Sequence, residues 1–89
     1  MKEFNFDCTN ISDKAELHKA LAEGLDFPDW YGNNLDALYD CLTGVCEETR
    51  IVLRGFAALE ESLGSYARSV RRVLLKADAD NDYLHVSIE

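Results

Sequence analysis

The chain has one proline, one tryptophan, three cysteines and, from Ala20 to Thr49, not one lysine or arginine. No apolar run approaches the roughly 18 residues that cross a bilayer. The opening Met-Lys-Glu-Phe-Asn-Phe-Asp alternates polar and apolar residues, where a secretory leader would be continuously apolar. These absences predict a cytoplasmic protein with no membrane role. Cys8, Cys41 and Cys46 are an odd set whose spacings match neither a CxxC motif nor a zinc pair, so buried reduced thiols are expected. His18 and His85 lie on separate segments with no flanking cysteine, which argues against zinc and predicts surface or half-buried side chains. No glycine-rich phosphate loop is present, and no metal or cofactor is expected.

What is present is a single-domain composition. Of 89 residues, 47% are hydrophobic and 29% charged, and a chain of this size buries roughly 60 to 65% of its unfolded surface in one small core. One domain over residues 1–89 is the expectation. The net charge is -8, and the block from Ala20 to Thr49 supplies most of it: Glu23, Asp26, Asp29, Asp36, Asp40, Glu47 and Glu48 face no cation within the block. A one-signed field of this kind repels nucleic acid and attracts cationic partners, so direct nucleic-acid binding is disfavoured. A solubilising acidic surface is the plainer explanation.

Periodicity orders the elements. Phe4, Phe6 and Cys8 alternate with Glu3, Asn5 and Asp7, the pattern of a strand with one buried face. Ser12 or Asp13 caps a helix with Leu17, Ala20 and Leu21 inward, ending at Gly24. Pro28 and Gly32 make Leu25 to Asn33 a loop. Asn33 or Asn34 then caps a second helix that stops at Gly44, with Leu35, Leu38 and Leu42 on one side and Asp36, Tyr39, Asp40 and Thr43 on the other.

The run Arg50 to Arg54 predicts a central strand covered on both faces. Phe56, Leu59 and Leu63 mark a third helix. Ser65 caps a fourth, with Val70, Val73, Leu74 and Ala77 inward and Arg68, Arg71, Arg72 and Asp78 outward. Tyr83 to Ile88 closes the chain as a strand. The order β-α-α-β-α-α-β, with helices inside each connection, predicts an α/β fold: a three-stranded parallel sheet packed against about four helices.

Two acidic sets invite chemistry. Asp78, Asp80, Asp82 and Glu89 fit ligand positions of an EF-hand loop, but Tyr83 stands where the loop requires glycine and a strand follows. Asp36 and Asp40, one helical turn apart, come within about 6 Å of each other. As a catalytic pair they lack a third ligand, a basic clamp and a cleft, so an enzyme is not expected. As surface residues they are poorly placed for their own helix. Like charges at this spacing cost about 0.2 to 0.5 kcal/mol, and an aspartate in the last turn opposes the helix dipole. Carboxylates left so suit an external cation, and Trp30, Tyr31 and Tyr39 beside them are typical interface anchors unless they serve only to tether the loop.

The segment LDFPDWYGNNLDALYDCLTG, Leu25 to Gly44, closely resembles the barstar family of intracellular ribonuclease inhibitors, and the element order of the remaining chain agrees with it. The resemblance implies a barstar-like fold and a non-enzymatic inhibitor of a small basic secreted ribonuclease of the guanyl type, barnase-like, acting as a monomer when free. It implies that Asp40 enters the pocket for the substrate phosphate and that Asp36 pairs with a cation at the groove's edge. Trp30, Tyr31, Asn34, Leu35, Tyr39, Thr43 and Gly44 would supply the surrounding contacts. The sequence departs from the best-known member at Trp30, a tyrosine there, and at Tyr39 and Val45, both tryptophan there. It also carries Lys76 in place of a glutamate that faces the enzyme. An acidic interaction module for a different basic protein or toxin is the competing interpretation.

Overall fold

The computed structural model describes residues 1–89. Three strands, β1 (Lys2–Asp7), β2 (Thr49–Arg54) and β3 (Leu84–Ile88), form a parallel sheet in the order β1-β2-β3. A 3₁₀ turn at Cys8–Asn10 follows β1. Helices α1 (Lys14–Leu25) and α2 (Leu35–Thr43) connect β1 to β2, and α3 (Phe56–Leu63) and α4 (Ser65–Asp80) connect β2 to β3. This is the α/β architecture the element order predicts: parallel neighbours cannot be joined by a tight turn, so each connection is filled by helices.

Register sets Phe4 beside Ile51 and Val86, and Phe6 beside Leu53 and Ile88, on one face of the sheet. That face builds the core with Leu17 and Leu21 of α1, Leu38 and Leu42 of α2, Leu59 of α3, and Val70 and Leu74 of α4. The opposite face carries Glu3, Asn5, Arg50, Arg54, His85 and Ser87, and Val52 is buried there outside the contiguous core. The expectation of a central strand covered on both faces holds for β2, whose Ile51, Val52 and Leu53 are all buried, although Val52 is buried among the polar residues of the second face. An Ile-Val-Leu run reads the same whether its middle residue meets helices or polar neighbours.

Two boundaries and one side chain differ from expectation. Helix α1 passes through Gly24 and ends at Leu25, with Asp26 as its left-handed cap at φ 57°, ψ 48°. Gly24 serves packing instead of termination, because a Cβ there would lie 2.1 Å from Cε1 of Phe4. Ser65 is the first residue of α4 and provides no side-chain cap, since Gly64 occupies that position with φ 59°. Asp78 turns toward β3, where its carboxylate accepts from the Val86 N–H at 2.8 Å and so occupies a donor on the sheet's edge.

Candidate functional site

Helix α2 and the loop before it are fixed locally at one end and by distant residues at the other. Asn34 is the cap: its side-chain oxygen accepts from the Ala37 N–H at 2.8 Å, and its amide donates to the Gly32 carbonyl at 3.2 Å. At the far end Gly44 bonds back to the Asp40 carbonyl, and the Thr43 hydroxyl donates to the Tyr39 carbonyl at 2.9 Å. Asn81, buried at the end of α4, donates to the carbonyls of Leu42 and Val45, both at 2.9 Å. No periodicity marks Asn81, because a polar residue after a helix is ordinarily a loop residue.

Leu38 and Leu42 anchor α2 in the core, which leaves Asp36 and Asp40 exposed. Ion pairs form at Lys19–Glu23, Arg54–Glu89, Lys76–Asp80 and His85–Glu48, and none involves Asp36 or Asp40. Two recesses flank the helix. One is lined by Leu35, Asp36, Tyr39, Asp40, Val73 and Lys76. The other, more apolar, includes Pro28, Trp30, Asp40, Cys41, Gly44 and Val45. Asp40 borders both. A slightly larger open hollow between α1 and the loop, with Lys19, Glu23, Asp26, Phe27, Pro28 and Asp29 among its lining residues, includes no residue of α2.

The cation missing from residues 20–49 arrives from α4. Lys76 lines the first recess, with its ammonium 3.1 Å from Asp80 and 5.4 Å from the centre of the Tyr39 ring. The Tyr39 hydroxyl donates to the same Asp80 carboxylate. The hydrogen bond to Asp80 raises the Tyr39 hydroxyl's pKa, and the bonds from Tyr39 and Lys76 lower that of Asp80. Tyr39 is thus a fixed wall of the recess and not a free surface ring, and neither Lys76 nor Asp80 is a spare charge.

The aromatic pair of the loop divides. Trp30 is 78% exposed at the mouth of the second recess. Tyr31 is buried, with its ring centre 4.9 Å from that of Phe27 and its hydroxyl 2.6 Å from Nδ1 of His18. As a side chain Tyr31 is a tether for the loop and offers no contact area on the surface. His18, expected at or near the surface, is buried at 1% exposure between Tyr31 and Tyr66. Its place on the stripe of Leu21 and Leu25 is the signal that could have found it.

The cysteines also separate. Cys8 is buried, Cys41 half-buried and Cys46 exposed, which corrects the expectation of three buried thiols. Burial, with the charge of Asp7 second, pushes the Cys8 thiol up to about 11, far from a reactive thiolate. No helix is long and apolar enough to cross a membrane.

The parallel α/β domain presents carboxylates, an exposed indole and two recesses on one helix and its leading loop. The chain belongs to the barstar family: the family model described as "Barstar (barnase inhibitor)" matches residues 1–88. It is also similar to a Bacillus subtilis (strain 168) protein named "Putative ribonuclease inhibitor YrdF", at 40% identity over 91 aligned positions that cover 100% of both chains.

Proposed function

We propose that the protein is a non-enzymatic, intracellular inhibitor that binds a small, basic, secreted ribonuclease of the guanyl type and blocks its RNA-binding groove. The observation that carries this reading is Asp40: an exposed carboxylate in no ion pair, on the ridge between two recesses, within a block of seven acids and no bases. A carboxylate so placed stands where an RNA phosphate would stand. The partner's cationic groups pair with it in a desolvated centre, where a charged hydrogen bond is strong. Asp36, one turn earlier, takes a second cation at the rim. Trp30, Leu35, Tyr39, Thr43 and the backbone at Gly44 supply the surrounding contact, while Asn34 and Tyr31 hold the helix and loop in shape. Membership of the barstar family and the name of the B. subtilis relative support the assignment.

Lys76 lines the first recess with its charge paired to Asp80, at the position where the best-known member of the family has a glutamate that faces the enzyme. The partner is a diverged ribonuclease of the barnase-like kind, or α4 contributes less to the contact. The test is titration of the protein into purified small secreted guanyl-type ribonucleases with an RNA-cleavage readout. Stoichiometric loss of cleavage is expected for at least one. No inhibition of any at micromolar protein overturns the assignment and leaves an acidic module for another basic protein.

A further inference from the structure

Between Asp26 and Asn34 the chain sends one residue, Tyr31, into the core, and everything else in the segment is exposed or half-buried. Local bonds shape the loop, with the Phe27 N–H on the Ala22 carbonyl at 2.9 Å and the Tyr31 N–H on the Pro28 carbonyl at 3.0 Å. It is attached to the rest of the molecule by the buried Tyr31 ring, by Phe27 packed against the core, and by the Tyr31 hydroxyl. That hydroxyl lies 2.6 Å from His18 Nδ1, and His18 Nε2 lies 2.6 Å from the Tyr66 hydroxyl. One imidazole therefore joins α1, the loop and the start of α4.

A neutral imidazole has one donor and one acceptor nitrogen, so it donates to one tyrosine and accepts the hydroxyl proton of the other. Protonation makes both nitrogens donors, and the tyrosine that was donating must turn its hydrogen away in a buried setting. The groups around the ring offer no counter-charge. From α4 comes Tyr66, with the Lys14 ammonium of α1 4.5 Å from its ring centre, and from the loop comes Tyr31. The Cys41 thiol of α2, which acts on Tyr31, is itself held neutral by burial. Burial also keeps the His18 pKa below its ordinary 6.5.

We propose that His18 is a positioning residue for the recognition loop: neutral, it holds Tyr31 and so presents Trp30 in its binding position, and protonated, it releases them. The word recognition rests on the function proposed above, but the coupling of His18 to the loop does not, and it can be read in the free protein. Trp30 is the only tryptophan, so its fluorescence and anisotropy report this loop alone.

The experiment follows Trp30 emission and anisotropy from pH 8 to pH 5 in the full chain without any ribonuclease. The His18 imidazole is titrated in parallel by NMR, and far-UV circular dichroism monitors the fold. Expected are one shared midpoint for Trp30 and His18, unchanged secondary structure, loss of the Trp30 transition in His18→Gln and its retention in His85→Gln. Should His18→Gln not fold, Tyr66→Phe serves, with the two midpoints moving together. A Trp30 transition that persists in His18→Gln, midpoints that move apart in Tyr66→Phe, or a Trp30 signal unmoved while His18 titrates overturns the coupling. With an inhibited ribonuclease in hand, affinity should fall at least about fivefold across the same pH range in the native protein and stay flat in His18→Gln, the scale of one lost hydrogen bond. Failure to inhibit any ribonuclease removes the function and leaves the Trp30 titration to decide the coupling.

Discussion

Asn81, at the end of α4, donates an amide hydrogen to the carbonyl of Leu42 on the last turn of α2, at 2.9 Å and across 39 residues of sequence. Its bond to the Val45 carbonyl, also 2.9 Å, means that one side chain caps the helix carrying both candidate aspartates. Helix ends leave carbonyls without partners, and at this buried end no solvent replaces the amide.

Asn81→Ala should therefore cost about 2 kcal/mol or more, since it strands two acceptors instead of exchanging them for water. Urea denaturation measures the loss. Ser or Asp at the same position should restore little, because neither presents two amide hydrogens.

Gly24 and Phe4 are coupled by close approach. In the native background Gly24→Ala should destabilise the protein by about 1 kcal/mol or more, because the new methyl must displace a packed ring. In a Phe4→Ala background the same change should stabilise by roughly 0.5 to 1 kcal/mol through helix propensity alone. A double-mutant cycle with chemical denaturation reads the change of sign.

Asp40→Ala should weaken the ribonuclease complex by at least about 2 kcal/mol and leave the fold's stability the same or slightly higher, as removal of a like charge beside Asp36 requires. Complexes of the barstar family are among the reference cases for that hot-spot behaviour, so the magnitude is borrowed from it. Asp36→Ala should cost less, being nearer the rim. Calorimetric titration alongside thermal melts separates binding from folding.

Raising salt from about 0.05 to 0.5 M should slow association much more than it speeds dissociation, because exposed charges steer the encounter through a screened field while desolvated pairs hold the complex. Here too the family is a known instance of the effect. Stopped-flow mixing over a salt series gives both rates, and a salt-independent association rate would remove the steering role of the acidic block.

Stability should itself fall on acidification through His18. Its folded pKa lies below the ordinary 6.5, so in the window beneath 6.5 the unfolded chain binds more protons than the folded one. The contribution is whole above about pH 6.5 and declines as pH drops toward the folded value. The urea midpoint should be lower at pH 5.5 than at pH 7.5, and His18→Gln should shrink that difference.

The sequence by itself determined the elements and the face. Periods of two and 3.6 residues placed three strands and four helices in order, the stripe of Leu38 and Leu42 fixed which side of α2 turns outward, and the block without lysine or arginine fixed the sign of its field. These are local properties, carried by neighbours in the chain. Tertiary structure alone decided what crosses between elements. It brought Lys76 into the recess of Asp36 and Asp40, set Asn81 on the end of α2, turned Tyr31 inward onto a buried His18, and buried Val52 among the polar side chains of the sheet's second face. Each depends on a partner dozens of residues away or on which face of a strand a helix covers. No period in the sequence records either, because a polar side chain is buried only where the fold supplies its hydrogen bonds.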